Sequence, residues 1–525
     1  MNTFKRMAAM SLSAAIVIST AACSRSDGFD GTNDDASLNG FGEPAVTQIA
    51  SGAEAGNIKW LVSEDLLTEM ADMVALFETR YGGTVTQERC GSGSAYFERL
   101  STLIAGGDSP DIVKYEWRSF PHGMSYNMYT PIDSYIDFDS ELWIGVKVVA
   151  EQFAYNSKHY YAPNSLATGY ALSYNNLVLK ESGLEDPMEL LNENRWTWTA
   201  FEEMLKAWCN MNPAHVGYNG VGAMSFILTT GVKTIDIQNG RIINNLQNEK
   251  VQECMLWLEE MRKDGLLGAS IERQQEYGSC NGYVPPETAF TDGNLLFLGT
   301  DPTQAYGAAK ESMDKKELPN EIKFVPFPRY EGSDTYYHGG STTGFMIPFG
   351  AKNIKGALDW IVLNRTVETD PERAASEKAK ALDDSVEYIS YCTNARCGDT
   401  ENGDYLNRHI FTDEEAEAGV TVCPVCGAER TERYKVVWSE EQYDLWQELK
   451  SGEGRFTLLF DNVYGFNDDL SGLFVGTGSL LDGPVFDDES FTELVNAKLP
   501  VVESYLQQYR DRMTSGGGNS VDAGE

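Results

Sequence analysis

Segments typical of buried strands alternate with segments typical of amphipathic helices over residues 57–113. An apolar run of strand length, Ile58–Val62, precedes Leu66–Tyr81, in which apolar residues recur at helical spacing. The same alternation continues with a strand at Thr84–Gln87, a helix at Tyr96–Ala105 and a strand at Ile112–Val113. This order predicts an α/β fold with a mostly parallel sheet, in which ligands gather at the carboxyl ends of the strands.

The N-terminus has the features of a secretory signal peptide over residues 1–22. Two cations precede an apolar stretch that is too short and too rich in Ala and Ser for a transmembrane helix. Thr20-Ala21-Ala22-Cys23 resembles the lipobox of bacterial lipoproteins, although Leu is usual in place of Thr20. We therefore expect export and lipidation of Cys23, which would anchor the protein to the outer face of the cell membrane. Ordinary signal-peptidase cleavage beside an unmodified Cys23 is the alternative.

Both ends of the remaining chain are poor in aliphatic side chains. Residues 23–56 predict a flexible tether and residues 512–525 a disordered tail, since neither can bury enough apolar surface to order itself. The body between them is long enough for two lobes with full cores. The formal net charge of −38 would repel nucleic acid and anionic lipid head groups. It favours a neutral or cationic partner, or simply a solvated acidic surface.

Ala105–Trp117 (AGGDSPDIVKYEW) resembles the AxGxxPDV segment of family 1 extracellular solute-binding proteins, the receptors of ABC sugar importers, which include the maltodextrin-binding protein. Further segments match in the family's order and spacing over roughly 300 residues, which makes the resemblance specific. These segments are Tyr170–Asn176, Gly183–Pro187, Trp196–Phe201, Ala289–Gly299, Phe324–Pro328, Gly339–Pro348 and Ala357–Ile361.

The resemblance implies a two-lobe fold of the periplasmic-binding-protein type (type II), with a ligand cleft between the lobes. By analogy, lobe 1 comprises 57–169 and 345–450, and lobe 2 comprises 171–343 and 451–511. Crossing strands would lie near Tyr170–Ser173 and Gly344–Ile347, where residues absorb the hinge rotation on closure. The implied protein is a monomer that delivers a solute, most plausibly a carbohydrate, to the membrane subunits of an ABC importer.

A neutral sugar needs aromatic platforms and side chains that donate and accept hydrogen bonds. The resemblance places such residues at the cleft, with Trp117 as the best stacking platform and Arg118 beside it at the rim. The expected ligand contacts are Ser63, Glu64, Tyr115, Glu116, Trp117, Tyr170, Asp301, Gly340 and Ser341.

Several of the neighbouring residues also have structural interpretations. Glu64 or Asp65 could instead be the N-cap of the following helix. Trp196 and Trp198 precede an amphipathic helix, so we expect them in the core. The Tyr155–Tyr161 run could line the cleft or cover the lobe.

Two cysteine clusters lie in a segment of about 366–435, which would be a small insertion in lobe 1. Their spacing suits a closed tetrahedral metal site of four thiolates, most plausibly structural Zn²⁺, with iron as a lesser option. Disulfides are the alternative in an exported protein. No cofactor is expected for ligand binding. The expected ligands are Cys392, Cys397, Cys423 and Cys426.

The sequence lacks HExxH, GxSxG and phosphate-loop motifs, so we expect a receptor and no enzyme. A glycosidase needs only two well-placed carboxylates, and an exported carbohydrate-active enzyme is therefore the alternative. A surface adhesin or sensor on the same fold is the third.

Overall fold

A computed structural model describes residues 56–268, 289–290, 293–303, 305, 321–384, 387–392, 409–412, 414–415, 418–430, 434–436, 439–452, 454–476 and 478–515. The predicted signal peptide, most of the tether and the end of the tail lie outside these residues, as do Cys23 and Cys397. The described helices and strands all belong to one unit, Glu54–Glu525. No helix in the described part of the chain is both long and apolar enough to cross a membrane.

The strands are short and are separated mostly by helices. In chain order they are β1 (Asn57–Val62), β2 (Thr84–Arg89), β3 (Ile112–Lys114), β4 (Tyr161–Thr168), β5 (Ala171–Asn175), β6 (Val216–Gly220), β7 (Ile235–Gln238), β8 (Arg241–Asn244), β9 (Leu295–Thr300), β10 (Ile322–Val325), β11 (Tyr336–Met346), β12 (Glu387–Tyr391), β13 (Ile410–Phe411), β14 (Tyr434–Val436) and β15 (Phe456–Leu459).

The helices pack mainly on the faces of the sheets. They are α1 (Leu66–Glu69), α2 (Ala71–Tyr81), α3 (Ser94–Ala105), α4 (His122–Ser125), α5 (Lys147–Gln152), α6 (Asn176–Ser182), α7 (Pro187–Asn192), α8 (Trp198–Met211), α9 (Met224–Thr229), α10 (Glu249–Lys263), α11 (Ile354–Glu368), α12 (Pro371–Asp384), α13 (Glu440–Ser451), α14 (Asp468–Phe474), α15 (Gly483–Phe486) and α16 (Phe491–Ser515), with 3-10 turns at Trp117–Ser119, Ile144–Val146 and Val463–Gly465.

Two mixed sheets form the framework. The first has the order β15-β11-β3-β1-β2, with β4 also paired to β11, and its strands β1, β2 and β3 run parallel. The second has the order β10-β5-β9-β6, in which β6 and β9 run parallel. Smaller sheets join β12 with β13 and β14, and β7 with β8. The α/β class predicted from the alternation over 57–113 is confirmed.

Each large sheet has its own aromatic core. Trp60 lies edge-on to Trp360 at 5.5 Å between ring centroids and fixes α11 on the first sheet. On the second sheet, Phe201 packs against Phe297 at 5.4 Å. All four side chains are almost fully buried, and each such burial contributes about 2–3 kcal/mol relative to exposure. Two separate cores are what a two-lobe fold requires.

The chain passes from the first sheet to the second between Thr168 and Ala171. A Cβ at Gly169 would lie only 2.5 Å from the Gly339 carbonyl oxygen, so the backbones of β4 and β11 approach closely at this point. The pairing of β11 changes from β15 to β4 between Gly339 and Gly340. Since β15 and β4 are both strands of the first sheet, β11 is paired within that sheet over its whole length, and the chain returns from the second sheet between β10 and β11, before the expected Gly344.

A third passage follows β15. Asn462 donates from its backbone to the carbonyl of Ile235, the first residue of β7, at 3.2 Å. Three residues later, a Cβ at Gly465 would lie 2.0 Å from the carbonyl oxygen of Phe120, beside the first sheet. We name residues 460–466 the third crossing segment, since it runs from the end of β15 past β7 of the small β7–β8 sheet to Phe120. The lobe boundaries given above remain a prediction.

Candidate functional site

Three partly exposed aromatic rings come together where the chain crosses between the sheets. Trp117 follows β3, Tyr170 lies in the first passage, and Tyr464 lies in the third crossing segment, with exposed fractions of 41%, 38% and 36%. The Trp117 and Tyr464 rings are perpendicular, with centroids 5.0 Å apart. Burial, with Asp482 and then Tyr170 nearby, raises the pKa of Tyr464. We call Trp117, Tyr170 and Tyr464 the aromatic cleft.

Trp117 is held by a 3-10 turn at the carboxyl end of β3. The backbone N–H of Tyr115 donates to the Gly344 carbonyl at 2.8 Å, which extends the sheet by one residue. The Glu116 N–H then donates to Ser119 Oγ at 3.1 Å, and the Glu116 side chain accepts from the Ser119 backbone N–H. Glu116 and Ser119 thus form a reciprocal capping box that closes the turn. The indole is therefore presented on a fixed backbone.

The next side chain, Arg118, supports the turn from outside. It donates to Ser94 Oγ at 2.9 Å and forms an ion pair with Asp468 at the start of α14. Its guanidinium is thus committed to protein partners. The resemblance predicts Arg118 at the cleft rim, whereas these contacts indicate a supporting role.

Glu116 lies in an unusual electrostatic environment. Burial raises its pKa to about 7, the nearby Lys114 opposes that rise, and Glu64 adds to it. Lys114 Nζ lies 3.7 Å from Glu64 Oε1. Near neutral pH, Glu116 can therefore either donate or accept a hydrogen bond through its carboxyl group.

The other residues expected in this part of the cleft differ in their surroundings. Asp65 is the N-cap of α1, accepting from Thr68 N at 3.4 Å and from Gln87 Nε2 at 2.6 Å, so the capping interpretation holds for Asp65. Ser63 and Glu64 are half-buried and do not cap that helix. Tyr115 packs its ring on Tyr161 at 4.6 Å and is largely a supporting residue.

Residues expected on the second side lie around Tyr170. Asp301 follows β9 and accepts from Thr303 N at 2.8 Å. Burial raises the pKa of Tyr170, and the nearby Asp301 carboxylate adds to that rise. Gly340 and Ser341 pair with Thr168 and Ala167 in the sheet and are half-buried. At Gly340 a Cβ would meet Leu458 at 2.4 Å, so this glycine permits close packing.

Tyr464 is not among the contacts that the sequence predicts. It lies in the segment DNVYGFNDDL between β15 and α14, which has no helix or strand periodicity. The only signal in the sequence is an aromatic residue beside Gly465 in a polar turn. Because the position of the third crossing segment depends on long-range contacts, sequence spacing alone does not predict this residue.

The two tryptophans expected in the core are confirmed there. Trp196 and Trp198 are buried, and Trp198 stacks on Trp257 with centroids 4.4 Å apart. Tyr155 and Tyr161 are buried as well, so these two tyrosines cover the lobe instead of lining an open cleft.

A separate cavity of about 480 Å³ lies between α5 and β7. Its lining includes Glu151, His159, Lys233 and Asp236 but no Phe, Tyr or Trp. His159 Nδ1 lies 2.7 Å from Asp133 and Lys233 Nζ lies 3.3 Å from Asp236, so both side chains already have protein partners. Without a stacking surface, this cavity is a poorer sugar site than the aromatic cleft.

Three of the four cysteines expected to bind metal are described, and they meet. The sulfurs of Cys392, Cys423 and Cys426 all lie within 4.8 Å of one another, and those of Cys392 and Cys426 are 3.3 Å apart. That distance is too long for a disulfide bond of about 2.05 Å. It is close to the sulfur–sulfur separation of about 3.8 Å that Zn–S bonds of about 2.3 Å give in a tetrahedron.

The backbone around Cys423 has the shape of a metal knuckle. The Val425 N–H donates to Cys423 Sγ at 3.4 Å, and Cys423 N–H donates to the Ala428 carbonyl at 2.7 Å. Gly427 adopts a φ of 73°, which reverses the chain. Three sulfurs this close together beside a tight turn fit a thiophilic metal ion such as Zn²⁺.

The model of the bacterial extracellular solute-binding protein family matches residues 72–382. No curated protein sequence matches the chain. Among solved structures, the chain is similar to a periplasmic oligogalacturonide-binding protein from Yersinia enterocolitica, at 13% identity and a TM-score of 0.56, over 86% of this chain and 100% of that chain. It is also similar to a sugar transporter from Rhizobium etli in an open conformation, at 14% identity and a TM-score of 0.52, over 87% and 99%. These likenesses confirm the predicted two-lobe fold.

Proposed function

We propose that this chain, which belongs to the family of bacterial extracellular solute-binding proteins, captures a sugar or oligosaccharide between two lobes and delivers it to an ABC importer. Membership of an extracellular family implies export. The observation that carries the choice of a sugar is the aromatic cleft, in which three exposed rings converge from separate parts of the chain. Sugar rings present apolar C–H faces that stack on such surfaces.

In this proposal Trp117 and Tyr464 form the stacking surface, and Tyr170 contributes a ring and a hydroxyl. Glu116 lies beside Trp117 with a carboxyl group whose pKa of about 7 suits hydrogen bonding to hydroxyls in either direction. The polar contacts proposed beside them are Ser63, Glu64, Asp301, Gly340 and Ser341, while Tyr115 supports the site from beneath.

Ligand capture would work by closure of the lobes. A sugar that touches both sides stabilises the closed form by the contacts that only this form provides, and the importer then recognises the closed form. The first passage, near Gly169, and the third crossing segment would be the hinges. The proposed lobes, 57–169 with 345–450 and 171–343 with 451–511, are the bodies that move, with β15 and the start of β11, which pair in the first sheet, at their boundary.

Thermal-shift screening against mono- and oligosaccharides tests the proposal, because a ligand that binds only the native state raises its melting temperature. A sugar that raises the melting temperature of the full chain should lose about tenfold or more in affinity with Trp117→Ala or Tyr464→Ala. Tyr135→Ala is the matched control, since Tyr135 is equally exposed but is not part of the aromatic cleft.

The same incubations separate a receptor from an enzyme. A binding protein returns the glycan unchanged, whereas a glycosidase releases new reducing ends. New reducing ends that disappear with Glu116→Gln would replace the receptor proposal with a catalytic one. An adhesin or sensor would bind the sugar but would not need importer subunits for its cellular role.

The anchor is a further part of the proposal. We infer that Cys23 is lipidated and holds the protein at the outer face of the cell membrane. Cys23→Ala should move the protein from the membrane fraction to the medium or periplasm, and the mass of the mature chain should show a diacylglycerol adduct on wild type only. A protein found in the membrane fraction regardless of the substitution would contradict this.

Zn²⁺ is the proposed occupant of the cysteine cluster. Cys392, Cys423 and Cys426 would supply three thiolates, and Cys397 is the proposed fourth. A closed set of four thiolates serves structure and leaves no position for catalysis. Metal analysis of the folded protein should find about one zinc per chain, and Cys423→Ser should lower it while Cys209→Ser leaves it unchanged. A metal-free protein with four disulfide-bonded cysteines would refute the site.

A further inference from the structure

Two carboxylates lie at one edge of the second sheet, beside the aromatic cleft. Asp301 follows the carboxyl end of β9. Burial raises the pKa of Tyr170, and the Asp301 carboxylate lies close enough to add to that rise. Asp482 lies near the end of β6, as a Cβ added to Gly222 would fall 1.9 Å from Asp482 Oδ1. Burial raises the pKa of Tyr464, and the Asp482 carboxylate adds to that rise. Since β6 and β9 are parallel neighbours, both carboxylates are at the same edge.

Two further carboxylates occupy the corresponding edge of the first sheet. Glu64 follows β1 and Glu116 follows β3, and β1 and β3 are parallel neighbours too. Both side chains are half-buried. The aromatic cleft is thus flanked by acidic groups from both sheets.

The two cations on either side of Trp117 in the chain, Lys114 and Arg118, are already engaged by acidic partners. Lys114 lies 3.7 Å from Glu64, and Arg118 is bound to Asp468 and to Ser94. An anion in the aromatic cleft would have to compete with these carboxylates for either cation. Lys114 and Arg118 therefore offset the negative charge of Glu64 and Asp468, and they contribute little attraction to an anionic ligand.

We infer that the aromatic cleft accepts saccharides without acidic groups and rejects uronates; this rests on the proposed function. A uronate carboxylate held against the rings would lose water and face the like charges of Asp301 and Asp482, and repulsion between charges is strong where solvent is partly excluded. Specificity of this kind comes from an unfavourable contact with the wrong ligand. The likeness to an oligogalacturonide-binding protein shows only the fold. The charge of the ligand is therefore inferred from the side chains of the aromatic cleft.

The test compares matched ligands on the full chain. Neutral di- to tetrasaccharides of glucose, galactose, mannose and xylose are titrated by calorimetry, and the tightest is compared with its form oxidised to the carboxylate at C6; trigalacturonate is added as an independent anion. We expect the neutral ligand to bind at least 100-fold more tightly than its oxidised form in low salt. Higher salt should narrow the ratio, since screening weakens repulsion.

Variants identify the groups responsible. Asp301→Asn keeps the oxygen that accepts from Thr303 and removes the charge, so it should narrow the ratio about tenfold; Asp482→Asn should act likewise. Glu78→Gln, which removes a charge from the exposed side of α2, is the control and should leave the ratio unchanged. Melting curves of each variant check that it folds.

The outcomes separate the two proposals. If the oxidised ligand or trigalacturonate binds as tightly as the neutral one, and Trp117→Ala abolishes that binding, the inference on charge is wrong while the receptor function stands. The inference on charge would also be overturned if the ratio of affinities for the neutral and the oxidised ligand were the same in Asp301→Asn, Asp482→Asn and wild type. If no saccharide of either kind binds, the sugar-binding function itself fails.

Discussion

Replacing Glu116 by Gln should make the stability of the protein less sensitive to pH. Burial raises the pKa of Glu116 from 4.5 to about 7, so the folded protein holds this proton more tightly than the unfolded chain. Such a difference corresponds to about 3 kcal/mol. Because the side chain is only half-buried, we expect solvent to reduce the effect to about 2 kcal/mol.

The sign follows from proton uptake. Between pH 4.5 and about 7 the native state carries more protons at Glu116 than the unfolded state, so the free energy of unfolding falls as pH rises through this window and levels off above it. Glutamine is always neutral and removes that fall. The Glu116→Gln variant should therefore match wild type near pH 4 and exceed it by about 2 kcal/mol at pH 8.

Urea denaturation followed by tryptophan fluorescence, at half-unit intervals from pH 4 to 8, measures this difference. The difference between variant and wild type matters, because other groups titrate equally in both proteins. Glu78→Gln, at an exposed position on α2, is the control for the effect of a Glu-to-Gln substitution as such. A constant offset for Glu116→Gln at every pH, or greater stability only in acid, would refute the reasoning about Glu116.

Two further substitutions test the packing near the crossings. The Gln442 side chain is fully buried; its amide accepts from the Phe324 N–H at 2.7 Å and donates to the Phe324 carbonyl at 3.3 Å. Denaturation of Gln442→Ala should therefore show a free energy of unfolding lower by about 3 kcal/mol. Glu448→Ala, at an exposed position on the same helix, is the control and should change the free energy of unfolding little. Gly169→Ala puts a methyl group about 1 Å too close to the Gly339 carbonyl, so calorimetry should show a melting temperature several degrees lower; an unchanged value would contradict the close approach of these strands.

Local pattern is sufficient to predict the first strands and helices. Strands are expected at Ile58–Val62 and Thr84–Gln87 and lie at Asn57–Val62 and Thr84–Arg89, because the first is mostly apolar and the second is rich in β-branched residues. The helix expected over Leu66–Tyr81 is interrupted at Met70. The residues there have no helix-breaking character, so the interruption has no signal in the sequence.

Contacts between distant parts of the chain are beyond the reach of local pattern. The cysteine clusters can be paired from the sequence because thiol spacing limits the options, and Cys392 indeed lies beside Cys423 and Cys426. Tyr464 carries no such restriction. Its role follows only from the third crossing segment, which is positioned by Ile235 on one side and Phe120 on the other.

The location of the aromatic cleft links binding to closure in a direct way. Tyr170 and Tyr464 lie on segments that pass between the sheets, whereas Trp117 is fixed to the first sheet by a capped turn. A rotation at Gly169 and in the third crossing segment would therefore change the distances among the three rings. A sugar in contact with these rings would favour one hinge angle over all others, and that preference is the differential affinity that closure by a ligand requires.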